Sequence, residues 1–345
     1  MHGSGGRPDV AVIGGGIIGT SAACFLAEAG ASVVLVERNE LAAGASGRNS
    51  GSLQQPFDPI LAGLHAESLK LYRDLAAREA DFELPPEAAG VLMVSFDGEA
   101  VTTASEAYRR AAPELQPALI GPAELRRLEP ALADGVWGCL LRTGYPVAPA
   151  SATLAFARRA VRAGAVIRTG QEAVDVVVGE REVRTRLRSG ELLASGRALV
   201  AAGPWSPTLI PGWHTQPPLS PVWGVVVGVR LPQAPRSILE EIGITVRGSE
   251  VASLFSLVSA RGMSSVGSTF LPDEPDAGRL APALLERAAG FVPAISDARR
   301  EGLRACARPV SFDGRPFIGP LAASERLYVC TGHGPWGIST GPASA

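Results

Sequence analysis

The chain has 345 residues, of which 46% are hydrophobic and 19% are charged, and its formal net charge is −2 at pH 7. This length suits one large or two medium domains of about 100–200 residues each. The near-neutral charge excludes an acidic disordered protein and provides no basic surface for nucleic acid. Lys70 is the only lysine, and because a phosphate-binding P-loop needs a Gly-Lys pair, P-loop NTPases are excluded as well.

The cysteines and histidines predict no metal site. The chain has four cysteines, none of them in a C-x-x-C pair, and four histidines, which do not form the spacing of a zinc finger or an iron–sulfur cluster. The N-terminus lacks the pattern of a signal peptide, and no window approaches about 18 uninterrupted apolar residues. We therefore expect a cytoplasmic protein with reduced thiols, no transmembrane segment and no nucleic-acid partner.

The first predicted elements form a strand–turn–helix–strand unit. The β-branched apolar run 9–13 predicts a buried strand, the small residues of 17–29 predict a helix, and 32–37 predicts a second strand. Between the first strand and the helix lies a G-x-G-x-x-G motif formed by Gly14, Gly16 and Gly19. In this context the motif is typical of a dinucleotide-binding turn, and a glycine-rich turn without a ligand is the alternative.

Each part of this motif has a physical reason. Gly14 permits a tight turn, Gly16 allows a pyrophosphate to approach the backbone, and Gly19 allows the helix to pack on the sheet, while the helix N-terminus supplies free N–H groups. Glu37, at the end of the second strand, can accept hydrogen bonds from both hydroxyl groups of a ribose. Its carboxylate would repel a 2′-phosphate, which disfavours NADP. This unit alone leaves FAD and NAD open.

The segment 41–51 follows this acidic residue directly and is rich in Gly, Ser and Asn. An NAD-binding chain usually continues there into a second βα unit, so a loop of this composition favours a longer ligand, with backbone lying along a ribityl chain. This favours FAD as the cofactor. The further cofactor contacts expected in this part of the chain are Ile17, Ile18, Arg38, Ser46, Arg48, Asn49, Ser50 and Gly51.

The rest of the chain alternates between helices and many short strands, without an internal repeat or a linker. Ser151 is expected to be the N-cap of the predicted helix 151–163. The predicted helices are 60–80, 99–112, 151–163 and 280–291, and the predicted strands are 90–96, 135–142, 166–169, 173–178, 182–187, 197–202, 221–230, 253–258, 263–269 and 327–331.

Three later motifs accompany the N-terminal one in a fixed order: 199–206, 313–319 and 327–338. With these four motifs the sequence resembles the FAD-dependent D-amino-acid oxidase (DAO) superfamily, which includes glycine oxidase, sarcosine oxidase and D-amino-acid dehydrogenase. The resemblance spans nearly the whole chain. It implies that the 199–206 segment passes behind the flavin, and it adds Val174, Ala202, Gly203 and Trp205 to the expected cofactor contacts.

The cofactor motifs lie at the beginning, the middle and the end of the chain, and strand-rich segments separate them. This arrangement, which the resemblance also implies, predicts an α/β fold with a Rossmann-like FAD-binding domain. The second domain is expected to be of the α+β type, with a discontinuous, mostly antiparallel β-sheet that binds the substrate. The predicted FAD-binding domain comprises residues 1–85, 150–215 and 305–345, and the predicted substrate domain comprises residues 86–149 and 216–304.

The last motif follows a strand and opens a predicted helix. A helix N-terminus directed at the flavin N1 and C2 carbonyl favours the anionic reduced flavin by about 0.3–1 kcal/mol, and a surface turn is the alternative. His333 is a flavin neighbour by resemblance or a packed, hydrogen-bonded histidine, and Trp336 either lines the substrate cavity or fills the core. The expected cofactor contacts here are Gly332, Gly334, Pro335, Trp336, Gly337 and Ile338.

Ser339 lies in a G-x-S-x-G pattern, but a nucleophile elbow needs its acid and its histidine later in the chain. Only Pro342, Ala343, Ser344 and Ala345 follow the pattern, which excludes an α/β-hydrolase. Members of the family usually continue the last helix beyond this point. The resemblance therefore leaves two alternatives open, a shortened sequence or a weakened flavin site.

The resemblance assigns roles to Arg308 and Cys306, which precede the 313–319 motif. Arg308 matches the family's arginine that binds the substrate carboxylate, a task that suits a guanidinium because it binds both oxygens and stays charged. The alternative is a structural ion pair with Asp313. Cys306 falls where the sarcosine oxidase branch attaches the flavin 8α position covalently, and the alternative is a small buried residue packed against the cofactor.

The sarcosine oxidase branch also uses a lysine beside the flavin to promote the reaction with oxygen. The corresponding strand here, at 263–268, contains no lysine. This departure favours a dehydrogenase, or an oxidase that activates oxygen differently, so the electron acceptor is expected to be oxygen, a quinone or another carrier.

Together these features predict an FAD-dependent oxidoreductase that oxidises the C–N bond of an amino acid or secondary amine by hydride transfer to flavin N5, giving an imine that water hydrolyses. Two alternatives remain: an FAD-dependent 2-hydroxy-acid dehydrogenase, whose substrate carboxylate the same arginine would bind, and a catalytically silent flavin-binding protein. The expected catalytic residues are Arg308, His333 and Trp336, and the candidates for lining the substrate cavity are Tyr145, Trp223 and Phe255.

Overall fold

The computed structural model of this protein describes residues 6–242, 253–321 and 324–345. Residues 1–5 of the predicted FAD-binding domain, residues 243–252 of the predicted substrate domain and residues 322–323 lie outside the described residues.

The described residues form eight α-helices and nineteen β-strands. The helices are α1 (Ile17–Glu28), α2 (Ala45–Arg48), α3 (Pro59–Arg78), α4 (Gly98–Ala111), α5 (Pro122–Leu128), α6 (Ser151–Arg162), α7 (Ala277–Phe291) and α8 (Gly337–Ser344). The strands are β1 (Val10–Ile13), β2 (Val33–Val36), β3 (Ser52–Leu53), β4 (Val91–Ser95), β5 (Ala118–Ile120), β6 (Trp137–Leu141), β7 (Tyr145–Pro146), β8 (Val166–Arg168), β9 (Ala173–Val178), β10 (Val183–Leu187), β11 (Leu192–Ser195), β12 (Arg197–Val200), β13 (Leu219–Arg230), β14 (Ile238–Glu241), β15 (Ser253–Ala260), β16 (Met263–Thr269), β17 (Arg299–Ser311), β18 (Phe317–Leu321) and β19 (Ser324–Thr331).

A six-stranded sheet with the order β18-β19-β12-β1-β2-β8 contains the N-terminal strand at its centre. β1 pairs in parallel with β2 and β12, β2 with β8, and β12 with β19, whereas β18 runs antiparallel to β19. The runs of Val, Leu and Ile suit strands that are buried on both faces. Because these parallel strands point the same way, their carboxyl ends lie along one edge of the sheet, where ligands bind in sheets of this kind.

Both faces of this sheet are covered. One face packs against α1, α3 and α6 in an apolar core that includes Val12, Leu35 and Phe156. The other face, with Ala11 and Ile13, packs against the three-stranded antiparallel sheet β11-β10-β9. These layers fix the positions of β1 and β2 and of the turn between β1 and α1.

The second large sheet has eight strands in the order β17-β13-β16-β15-β14-β4-β6-β5. All neighbouring pairs are antiparallel except β14 and β4, which are parallel. Val225, Phe255 and Leu257 on one face pack against α7. The opposite face is turned towards the cavity described below. The predicted fold class, a Rossmann-like α/β part combined with a mostly antiparallel sheet, is confirmed.

The structure corrects three local predictions. The loop predicted at 41–51 contains the short helix α2. Ser151 does not cap α6, because Ala150 occupies the N-cap with φ of 67° and the Ser151 hydroxyl donates to the carbonyl of Ala148 at 2.6 Å. Several strands were not predicted, above all β14 and β17. Strand β17 begins with three charged residues in a row and shows no regular alternation, and its 13-residue length comes from pairing with β13 along its whole course.

The predicted domain boundary between residues 304 and 305 falls inside β17. Because β17 belongs to the eight-stranded sheet along its full length, we propose that the substrate domain extends to Ser311 and that the rest of the division stands as predicted. Within the part of the chain that the structure describes, no helix is long and apolar enough to span a membrane.

Candidate active site

A cavity of about 1020 Å³ lies between the carboxyl edge of the six-stranded sheet and the eight-stranded sheet. This volume is at the upper end of the range of about 300–1,000 Å³ for ligand pockets. Ile13, Val36 and Ala201 contribute from the first sheet and its strand ends, and Val226 and Ser256 contribute from the second. The cavity is therefore at the edge that the topology of the parallel strands designates for a ligand.

The glycine turn after β1 requires glycine at two of its positions. Gly14 has φ of 115°, and a Cβ atom there would lie 2.4 Å from the carbonyl oxygen of Ala201. A Cβ atom on Gly19 would lie 1.9 Å from the carbonyl oxygen of Gly14. The turn thus packs tightly against β12 and α1, and it places the N-terminal end of α1 on the wall of the cavity, a position that favours an anion.

Glu37 closes one side of this turn. Its Oε2 accepts a hydrogen bond from the amide of Gly15 at 2.7 Å, and its Oε1 accepts one from the amide of Asn39 at 2.9 Å. A carboxylate offers about four lone-pair sites, so each oxygen keeps one for a hydroxyl group of the ligand. Beside it, the guanidinium of Arg38 stacks on the ring of Trp205 at 3.6 Å from the ring centroid.

The segment after β2 is held in place by its own polar side chains. The Ser46 hydroxyl accepts a hydrogen bond from the amide of Ile17 at 2.9 Å, which joins this segment to the start of α1. The Asn49 amide group donates to the carbonyl of Ser46 at 2.7 Å and accepts from the amide of Gly51 at 2.7 Å. These hydrogen bonds hold α2 and the two residues after it in place, and together they form part of the cavity wall.

Most of the predicted cofactor and catalytic residues line this cavity. Gly19, Gly51 and Gly332 are not among its lining residues, because each packs against neighbouring backbone or side chains instead. The predicted residues on its wall are Gly14, Gly16, Ile17, Ile18, Glu37, Arg38, Ser46, Arg48, Asn49, Ser50, Val174, Ala202, Gly203, Trp205, Cys306, Arg308, His333, Gly334, Pro335, Trp336, Gly337 and Ile338.

Of the three residues predicted to line the substrate part of the cavity, two do so and one does not. Trp223 and Phe255 line the cavity, although Phe255 also packs in the apolar core beneath the eight-stranded sheet. Tyr145 is a correction: it is buried in the core on the helical side of the six-stranded sheet and is not among the lining residues.

The C-terminal segment brings a helix N-terminus to the cavity, through Gly334 to Ile338 at the start of α8. His333 is fully buried there. The hydroxyl of Ser344 donates to the carbonyl of Thr340, so it accepts from Nε2 of His333 at 3.0 Å, and Nδ1 of His333 is left without a partner. Burial lowers the pKa of His333 to about 3. The imidazole is therefore neutral and presents a lone pair on Nδ1.

Arg308 on β17 reaches back across β13 to β16. Its guanidinium donates to the carbonyl of Thr269 at 3.0 Å and to the hydroxyl of Ser268 at 2.6 Å, and it lies 4.5 Å from the ring centroid of Phe270. Burial lowers its pKa from the usual value. Among the described residues it has no carboxylate partner, and Asp313 bonds to the backbone of Arg315 instead. The structure therefore does not contain the ion pair that was the alternative for Arg308.

Cys306 also lines the cavity, and its thiol donates weakly to the carbonyl of Arg48 at 3.9 Å. Burial raises the pKa of this thiol, and the nearby guanidinium of Arg308 opposes that shift. A protonated thiol packed against the ligand is the state that this environment favours.

Glu240 on β14 is a lining residue that was not predicted. Its Oε1 accepts a hydrogen bond from the side-chain amide of Gln54 at 3.0 Å, and burial raises its pKa to about 7. The sequence did contain an indication, because two consecutive glutamates interrupt the apolar run that begins at Ile238. Without the partner strands, that run could not be assigned to a buried strand.

Comparisons with known proteins agree with this site. The sequence model of the DAO family, described as FAD dependent oxidoreductase, matches residues 9–345. Glycine oxidase of Bacillus licheniformis is 27% identical over 355 residues, covering 98% of this chain and 91% of that protein. Glycine oxidase of Pseudomonas aeruginosa is 27% identical over 356 residues, covering 97% and 92%.

Solved structures show the same fold. The crystal structure of glycine oxidase from Bacillus cereus superposes with a TM-score of 0.85 at 27% identity, covering 98% of this chain and 93% of that one. Iminodiacetate oxidase from Chelativorans gives a TM-score of 0.83 at 22% identity, covering 97% and 92%. The chain therefore belongs to the DAO family of FAD-dependent oxidoreductases. It is an enzyme of that class, FAD is its cofactor, and both predictions are confirmed.

The residues of the cavity fit this cofactor. The glycine turn leaves a cradle of backbone beside the N-terminus of α1, as a pyrophosphate requires. The buried Nδ1 of His333 lacks a protein partner, so a ligand donor beside it would satisfy an otherwise costly atom. The start of α8 adds the positive end of a second helix.

Proposed function

We propose that this enzyme oxidises the C–N bond of an amino acid or a secondary amine. The observation that carries the proposal is Arg308, a partly buried guanidinium on the wall of the cavity that has no carboxylate partner among the described residues. A buried charge is costly unless an opposite charge meets it, and a substrate carboxylate supplies that charge through two parallel hydrogen bonds. The names of the relatives, glycine oxidase and iminodiacetate oxidase, support the same substrate class.

FAD held in this cavity would supply the hydride-accepting chemistry for the substrate Cα–H bond. Once the substrate ammonium has lost a proton to water, this oxidation would give an imine, which water would hydrolyse to a carbonyl compound and an amine or ammonia. The protein orients the substrate: Arg308 holds the carboxylate, while the aromatic rings of Phe270, Trp223 and Trp336 shape the space around the α-carbon. No strong base is needed in the protein, because loss of the ammonium proton to water and alignment of the Cα–H bond suffice. His333, neutral and fixed by Ser344, packs beside the cofactor.

We also propose specific contacts with FAD. The turn formed by Gly14 and Gly16 would receive the pyrophosphate, and Glu37 the adenosine ribose, since its oxygens keep free lone pairs. The segment with Ser46 and Asn49 would follow the ribityl chain. The other lining residues named above would complete the site.

The electron acceptor is proposed to be oxygen or a quinone. The strand β16, which contributes Ser268 beside Arg308, contains no lysine. Lys70 lies exposed on α3, where it pairs with Glu67 at 2.8 Å. Among the described residues no lysine lines the cavity, which favours a dehydrogenase that uses a quinone or another carrier, or an oxidase that activates oxygen without a lysine.

Anaerobic mixing of the purified flavoprotein with glycine, sarcosine and a set of D-amino acids tests the proposal. We expect at least one of them to bleach the flavin absorption band and to release ammonia or methylamine. A flavin that stays oxidised with every amine would contradict the proposal. Bleaching by glycolate or D-lactate only, without ammonia, would indicate the 2-hydroxy-acid dehydrogenase instead.

A further inference from the structure

The cavity contains a partly buried guanidinium and a partly buried carboxyl group, and among the described residues the two do not form an ion pair with each other. On the positive side is Arg308. Five glutamates line the cavity, and four of them have a hydrogen-bond partner or solvent for their carboxylate. Three of these four accept hydrogen bonds from arginines or backbone amides, and one is exposed to solvent. The fifth is Glu240, and within the described ranges its carboxylate has no cationic partner. The five are Glu37, Glu172, Glu240, Glu241 and Glu274.

Glu240 is placed on the same face of the eight-stranded sheet as the guanidinium of Arg308. Ser256 on β15 lies opposite Glu240 on one side and opposite Gly267 of β16 on the other. The guanidinium of Arg308 rests on Ser268, the next residue of β16. The carboxylate of Glu240 and the guanidinium of Arg308 therefore both line the cavity from this face of the sheet.

A zwitterionic ligand in this cavity could meet both groups, with its carboxylate at Arg308 and its cationic nitrogen at Glu240. The single hydrogen bond from Gln54 fixes Oε1 of Glu240 at 3.0 Å. The second oxygen, Oε2, is left to accept a hydrogen bond from the ligand.

We propose that Glu240 binds the ammonium group of the substrate while Arg308 binds its carboxylate, so that the cavity selects zwitterionic amino acids, including N-substituted ones, over 2-hydroxy acids. This assignment rests on the proposed function and names the residue that distinguishes an amine from a hydroxyl group. The raised pKa of Glu240 is consistent with it, because a carboxyl group buried without a cation is ready to gain one. A bound ammonium supplies that cation, and a hydroxyl group does not.

The test compares Glu240→Gln with the wild-type holoenzyme. Binding is followed under anaerobic conditions through the flavin absorbance, with the pairs glycine and glycolate, and D-alanine and D-lactate. The substitution keeps the size and the hydrogen-bonding ability of the side chain but removes its charge. We expect the half-saturating concentration of the amino acids to rise by about 10- to 100-fold, the loss of one charged hydrogen bond, and that of the hydroxy acids to change by less than about twofold.

Glu114 provides a matched control, because it pairs with Gln55, the residue that follows Gln54. The side-chain amide of Gln55 donates to Glu114 at 2.6 Å, a Gln–Glu pair like the one at Glu240, but exposed and outside the cavity. Glu114→Gln is expected to leave binding of both ligand classes unchanged. Because Glu240→Gln could lose the fold, Glu240→Asp is measured as well. It keeps the charge one methylene further away, and an intermediate loss for amino acids only is expected.

Two results would overturn the assignment while leaving the proposed function intact. One is unchanged amino-acid binding in both Glu240 variants that retain FAD. The other is an equal loss for amino acids and hydroxy acids, which would make Glu240 a general structural residue. If instead the wild-type flavin responds to no amino acid of the panel, the proposed function itself fails, and the assignment fails with it.

Discussion

Placing one methyl group beneath Arg308 tests the role of this residue without removing its charge. Gly224 on β13 lies under the guanidinium, and a Cβ atom at this position would be 2.3 Å from one terminal nitrogen and 2.6 Å from the central carbon of Arg308. Contacts this short cannot exist, so in Gly224→Ala the guanidinium must move. It is the end of a long side chain, and the backbone of the sheet can stay in place.

The displaced guanidinium would lose its alignment with the substrate carboxylate and with the Ser268 hydroxyl. A hydrogen bond between charged groups contributes about 1.5–3 kcal/mol. At ~1.4 kcal/mol for each factor of ten, the loss of one such bond weakens substrate binding by about 10- to 150-fold. FAD binding should be retained, because Gly224 is not among the residues that line the cavity.

The assay is the concentration dependence of anaerobic flavin reduction by the amine that reduces the wild-type enzyme fastest. Gly228→Ala on the same strand is the matched control: a Cβ atom there would meet its nearest neighbours at 3.5 Å, an ordinary contact. We expect the control to bind substrate within about twofold of wild type. If Gly224→Ala retains FAD and also binds as wild type does, Arg308 does not hold the substrate carboxylate.

Three further predictions concern the cofactor site. Gly14→Ala should yield colourless protein, because its positive φ and its contact with Ala201 leave no room for Cβ, and the ratio of flavin to protein absorbance checks this. Acid precipitation should release all the FAD from the wild type, since the raised pKa of the Cys306 thiol disfavours the thiolate that covalent attachment needs. For His333, the folded pKa of about 3 lies below the unfolded value of 6.5. The neutral, buried imidazole therefore contributes its full stability above pH 6.5, and this contribution decreases as the pH falls, by ~2 kcal/mol at pH 5. The melting temperature of His333→Gln should accordingly depend less on pH between 7 and 5 than that of the wild type.

Each of these predictions has its own control. Gly30→Ala, also at a positive φ of 91° but with nothing within 4 Å of its Cβ position, should cost some stability and keep FAD. Yellow colour remaining in the acid precipitate of the wild type, and absent from that of Cys306→Ala, would show that the prediction of non-covalent FAD is wrong. Parallel curves for wild type and His333→Gln would show that His333 is not buried as the structure places it.

Much of the cofactor site could be predicted from the sequence because the requirements there are local. The positive φ of Gly14 and the missing Cβ of Gly19 are needed within a single turn, so they leave a recognisable spacing. The same holds for Glu37 at the end of its strand and for the glycines that precede α8. Local spacing did not identify the role of Gly332 or Gly51. A Cβ atom on Gly332 would meet Phe317, and one on Gly51 would meet the backbone of residue 147, so both glycines allow close packing between distant segments.

The substrate side was harder to predict. Arg308 was identified only through resemblance, and nothing local shows that its guanidinium would cross β13 to reach β16. Tyr145 was expected on the cavity wall, but the pairing of its short strand with β3 turns it into the core. Glu240 was missed because its short strand is placed in the sheet by pairing with β4, which lies far from it in the chain.

The sequence by itself determined the class of the fold and the nucleotide end of the cavity, because backbone geometry and strand–helix order depend on neighbouring residues. Tertiary structure alone decided which charges face the substrate. Arg308 on β17 and Glu240 on β14 line one cavity because the eight-stranded sheet joins segments from across the chain. Such pairings are set by packing and register, and no spacing in the sequence records them.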